Sequence, residues 1–114
     1  MLLSTDVWVG ALIRRAQLEG AFATVARKGD ARAGAVLVKL YNPLTREARL
    51  YAQALSGAGE TVWMQPIAST DESDLDAYVR RQAGYDPDLW VVEIEDRQGR
   101  HFLTETVEDR QAGP

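Results

Sequence analysis

The sequence predicts an α+β fold: an antiparallel sheet of four to six strands packed against two helices on one of its faces. Two segments carry apolar residues at helical spacing, and the runs between and after them alternate with period 2. Turn residues punctuate those runs at Lys28-Gly29-Asp30, Asn42-Pro43-Leu44-Thr45 and Ser56-Gly57-Ala58-Gly59. The chain has 114 residues, 46% apolar and 26% charged, the balance of an ordinary folded domain long enough for one core. The expected organisation is a single domain over residues 1–106 followed by a flexible tail, 107–114.

Residues 5–19 place Val9, Leu12, Ile13 and Ala16 on one helical face, with Thr5 or Asp6 as cap and Gly20 as the stop. The alternation Val7, Val9, Ala11, Ile13 also suits a strand, so both readings stay open. Phe22 to Arg27 and Ala35 to Tyr41 read as paired strands, the second with Val36, Val38 and Leu40 on one side. A meander continues through Arg49 to Ala54 and through Thr61 to Gln65, which Pro66 closes. Asp71 to Ala83 is the clearest helix. Ser69 and Glu72 have capping-box spacing, acids fill the first turns, Arg80 and Arg81 the last, and Gly84 ends it. Asp86-Pro87-Asp88 then turns the chain, with the Asp86 carboxylate expected to accept from the Asp88 N–H and aim Trp90 at the core. Leu89 to Glu95 is the next strand, Gln98-Gly99 suggests a hairpin into His101, Phe102 and Leu103, and the chain is expected to fray from about Glu105.

Composition removes several chemistries. Cysteine is absent, which excludes disulfides, thiolate metal sites and Cys nucleophiles. Without a run of about 20 apolar residues or a basic-then-apolar start, the expected location is the cytoplasm, with no membrane partner. The net charge of −4 is unevenly spread: residues 1–70 hold eight basic against five acidic side chains, and residues 71–114 hold five against twelve. A surplus of three cations falls short of a phosphate-binding stripe, so a nucleic-acid partner is not expected. His101 is the sole histidine, which rules out multi-histidine zinc sites, and no Gly-x-Ser-x-Gly elbow supports serine hydrolysis; the position after a turn makes His101 an exposed strand residue. Gly29-Asp30-Ala31-Arg32-Ala33-Gly34 has loop glycines but no following Lys-Ser/Thr, so it does not qualify as a phosphate loop. No cofactor is implied.

Two groups of residues remain as candidates. Asp86, Asp88, Glu93, Glu95 and Asp96 supply five carboxylates within one short run, and period 2 places Glu93 and Glu95 about 7 Å apart on one strand face. Such oxygens suit a hard divalent ion, although solvated strand-end acids and a turn explain them without one. Trp8, Trp63 and Trp90 are a generous supply of the residue type that anchors interfaces, although each lies among apolar neighbours and suits a core.

Val7-Trp8-Val9 with Arg14-Arg15, Arg27-Lys28-Gly29-Asp30 with Ala33-Gly34-Ala35, Trp63, and above all Asp86-Pro87-Asp88-Leu89-Trp90 with Glu93 resemble a family of short alphaproteobacterial proteins known as domain of unknown function 1491. The resemblance spans residues 5 to about 103. It implies a small bacterial protein and transfers no activity, cofactor or catalytic residue. The expected function is a non-enzymatic binding or regulatory module for a protein or small-molecule partner, engaging Trp8, Arg14, Trp63, Asp86, Asp88, Trp90 and Glu93. The alternative is a metal-dependent phosphoesterase or nuclease using Asp86, Asp88, Glu93 and Glu95. A third reading is a homodimer in which the basic and acidic halves meet.

Overall fold

In chain order the elements are α1 (Thr5–Leu18), β1 (Phe22–Arg27), β2 (Val36–Asn42), β3 (Glu47–Leu55), β4 (Thr61–Gln65), α2 (Glu72–Tyr85), β5 (Trp90–Glu95) and β6 (Val107–Gln111). This is a computed structural model, and it describes residues 3–111, with side chains through Glu108. The strands form one mixed sheet in the order β1-β5-β2-β3-β4-β6. The β2-β3-β4 meander stands as expected. β1 does not pair with β2, because β5 lies between them, antiparallel to β1 and parallel to β2.

That insertion follows from the strand sequences. Val36 to Leu40 is buried at every position, and Trp90 to Val92 likewise, so β2 and β5 need cover on both faces and occupy the centre. β1 is largely exposed and suits an edge. The same burial overturns the expectation that both helices share one face. Alternation sends Val36, Val38, Leu40, Val92 and Ile94 into the core under α1, whereas Leu37 and Val91 join Leu50 and Leu75 under α2. The helices therefore lie on opposite faces.

Residues 5–18 are helical, and Trp8, Val9, Leu12 and Ala16 form the buried stripe. Ser4 is the N-cap residue instead of Thr5 or Asp6, and Gly20 at φ +87° ends the element, a conformation that costs glycine little. In α2 the cap is Asp71, whose carboxylate accepts from the Ser73 N–H, while Ser69 bonds the Asp74 side chain. Gly84 does not stop α2. The helix runs on to Tyr85 and ends where Pro87 lacks a donor, which leaves its last turn without Arg80 or Arg81.

Two expectations about the C-terminal region are corrected. No strand forms at His101 to Leu103. Asp96 instead folds back onto Arg100 through the backbone N–H (2.8 Å) and guanidinium (3.0 and 3.1 Å), and Phe102 adopts φ +61°. Arg100 holds the Asp96 carboxyl below the ordinary carboxylate range, against the opposing effect of burial. Nor is the segment beyond Glu105 without a strand, since β6 pairs parallel to β4 through Gln111. Residues 112–114 of the expected tail lie outside the described residues.

Candidate functional site

The two faces of the sheet are finished differently. On the α1 face the helix covers β1, β5 and β2, and Phe102, Leu103 and Val107 pack against the rest of that core. α2 packs chiefly on β2 and β3 and reaches β5 at Val91. Past Val91 the β1-β5 part of the α2 face is uncovered, Glu93 half-buried and Glu95 exposed. Strand register lays two rows of side chains across that part: Thr24, Glu93 and Lys39 in one, Phe22, Glu95 and Tyr41 in the other. Phe22 is 68% exposed, a large apolar ring left in water among carboxylates. These residues and Glu72 line a cavity of about 150 Å³. Beyond Phe22 and Glu95 the surface continues into a recess of about 330 Å³ bounded by Glu19, Asp96 and Arg97.

Lys39 organises the electrostatics of this shelf. Its side chain is 7% exposed, and its ammonium sits 2.8 Å from Asp76, 2.9 Å from Glu72 and 3.3 Å from Glu93. Burial by itself depresses a lysine, but hydrogen bonds to Asp76 and Glu72 and the charge of Glu93 outweigh it, so the ammonium is held charged above its ordinary value. One cation therefore faces three acids, and Glu95 adds a fourth beside them. The shelf carries net negative charge around two aromatic rings. Its chemistry complements a cation with an apolar stem or an extended basic segment.

The residues singled out by sequence are not gathered at one place. Trp8 and Trp63 stack in the core with ring centroids 5.3 Å apart, and both indole N–H groups donate to the Glu105 carboxylate at 3.0 Å. Burial would raise the Glu105 carboxyl, but hydrogen bonds from Trp63 and Trp8 pull it below its ordinary value. Trp90 is 4% exposed and donates to the Asp30 carbonyl. Arg14 is exposed on α1. Asp86 accepts from the Asp88 N–H at 3.0 Å, as its turn position predicts, and the Asp88 carbonyl accepts from the Asp30 N–H at 3.0 Å. Arg27 reaches this turn, donating to the Pro87 and Leu89 carbonyls. The glycines that superficially suggested a phosphate loop are spacers: a Cβ at Gly29 or Gly34 would collide with the Asp88 backbone.

Glu93 alone among those seven lies on the shelf. Asp86 and Asp88 sit beyond the opposite end of β5, and among the described residues no three His, Cys, Asp or Glu side chains are grouped to hold a metal ion. His101 is half-buried rather than exposed, its Nδ1 accepting from the Leu103 N–H at 2.9 Å and its ring edge-on to Tyr51. Phe22, Lys39, Tyr41, Glu72, Asp76 and the Trp clasp residue Glu105 were missed. Lys39 had a readable signal, being the one charge in the apolar run Val36 to Leu40, where a buried ammonium requires acidic partners.

The family model described as "Protein of unknown function (DUF1491)" matches residues 3–104. The chain belongs to the DUF1491 family. It is similar to the crystal structure of a DUF1491 family protein from Caulobacter crescentus CB15, at 70% identity over 94% of this chain and 100% of that one, with a TM-score of 0.92. An NMR structure of a DUF1491 family protein from the same organism gives 70% identity, 96% and 99% coverage and a TM-score of 0.89. The solution structure of protein Atu0922 from A. tumefaciens is 30% identical over 99% of this chain and 100% of that one, with a TM-score of 0.79. None of the curated proteins matches the chain. Among the described residues no helix is long and apolar enough to cross a membrane.

Proposed function

We propose that this DUF1491 protein is a non-enzymatic binding module of the bacterial cytoplasm whose uncovered β1-β5 surface engages a cationic segment of a protein partner. The observation that carries the reading is Phe22, exposed beside Glu93 and Glu95 on the part of the sheet that α2 leaves uncovered. An extended basic peptide would lay its aliphatic stems over Phe22 and Tyr41 while its charges meet the acids. The metal-dependent hydrolase alternative finds no support in the placement of its four carboxylates, since Glu93 already bonds Lys39 and Asp86 shapes a turn.

A titration with a short Arg- and Lys-containing peptide, followed by amide chemical shifts, tests the reading. Shifts are expected to concentrate at Thr24, Glu93 and Glu95, and to weaken in high salt because exposed charges are screened beyond about 10 Å at 0.1 M. The double variant Glu93→Gln/Glu95→Gln is expected to lose them. Shifts scattered over the whole surface, or undiminished in that variant, would refute a shelf-based site.

A further inference from the structure

β1 borders the shelf and is an edge of the sheet, hydrogen-bonded to β5 on one side. Among the described residues no backbone bond from Phe22–Arg27 goes to any other segment. Natural edges are commonly blunted by lysine, proline or a covering loop. Phe22 to Ala26 contains neither residue, and Phe22 and Val25 are 68% and 38% exposed, one on each face. A bulge between Val25 and Arg27 is the only interruption of this edge. The strand is also electrically polar along its length. Glu19, 64% exposed with its carboxylate 3.9 Å from Arg100, and Glu95 stand at the Phe22 end, with Arg27 and Lys28 at the other.

We infer that β1 pairs with β1 of a second copy, antiparallel about a two-fold axis normal to the sheet, joining two sheets into one. This deepens the reading above by naming the occupant of the shelf's outer border, and it rests on that border being a binding surface. The symmetry restricts the register. A normal two-fold keeps each face on its own side, so Phe22 and Thr24 must meet even-numbered residues of the other copy. Centring on Thr24 places Phe22 across from the bulge residue Ala26 and carries Lys28, just past the strand, toward the Glu19 end of the second copy. Each acidic end then meets a basic end, twice by symmetry. Parallel or heterologous pairing would not satisfy both ends. Because the bulge limits the flat stretch to a few residues, the dimer is weak and visible only at high protein concentration.

Light scattering and sedimentation of the full chain across concentration and salt test the inference. A concentration-dependent dimer that weakens with salt is expected. Glu19→Lys and Lys28→Glu should each weaken it roughly tenfold, the two symmetric contacts adding, and the double variant should restore it. Thr24→Lys, which sets two ammonium groups against each other on the axis at an exposed position, should abolish it. A monomer at millimolar concentration and low salt overturns the self-pairing, and peptide titration of that monomer then reports separately on the shelf. A dimer that the double variant fails to restore has its interface elsewhere and overturns the self-pairing equally.

Discussion

The Trp8-Trp63-Glu105 clasp and the Lys39 shelf solve the same problem, a polar group set among apolar neighbours, with opposite outcomes. In the clasp one carboxylate meets two indole donors, and the tryptophans around it are buried. In the shelf one ammonium meets three carboxylates that are each 41–45% exposed, so its surplus charge points to water. Matched valence makes a closed core; mismatched valence leaves an open, charged surface. The first arrangement supports stability, and the second leaves surplus charge available for the proposed recognition.

Paired truncations bear on the contrast most strongly. Trp63→Ala should cost about 3–5 kcal/mol in denaturant unfolding, because the cavity cannot collapse under α1. Phe22→Ala on the shelf should stay within about 0.5 kcal/mol. Comparable losses from the two would mean that the shelf is part of the stability core and not an open surface. A smaller effect is expected from Glu105→Gln. The amide keeps one oxygen for one indole and turns an NH₂ toward the other, at a cost of about 1–2 kcal/mol with a red shift in tryptophan emission. An unchanged emission maximum would detach Glu105 from the tryptophans.

The least effect concerns pH on the clasp side of the sheet. Burial lowers the His101 pKa below its ordinary 6.5, so the unfolded chain takes up the proton first. The contribution is fully present above pH 6.5 and is lost as pH falls toward the folded value. The lowered carboxyls, Asp96 and Glu105 among them, titrate from below 3.8 and 4.5, which leaves the decline just under pH 6.5 to His101. His101→Phe should flatten that part of the stability profile. A profile equally steep in the variant would assign the decline to another group.

Sequence reasoning reached what local periodicity encodes and stopped where partners are distant in the chain. Both helices, the meander and the Asp86 turn are legible because their determinants lie within a few residues of one another. The parallel β2-β5 pairing is not, since nothing near Val36 refers to Trp90. The unbroken burial of Val36 to Leu40 did hold a clue, because a strand buried on both faces cannot have both helices on one. The apolar neighbours of Trp8, Trp63 and Trp90 mark them as core material, and they are buried, although the same residues also stand among the expected binding set; Glu105 beside two of them is invisible in a segment without periodicity. The acid-rich run was legible as a cluster but not as two places, because a strand of six residues carries its ends apart. Phe22 was read only as a strand residue, and its exposure depends on how far α2 reaches.

The insertion of β5 between β1 and β2 also dictates an order of assembly. Val36 pairs with Trp90 and Ala23 with Ile94, so the centre of the sheet joins residues more than fifty positions apart. Closing such loops costs entropy before any contact is made, and topologies of this kind fold slowly. During synthesis α1 and β1 emerge first, yet β1 has no neighbour until β5 has left the ribosome. For most of its translation the chain therefore carries α1 with its apolar stripe, and an unpaired strand beside it, with no sheet to receive them.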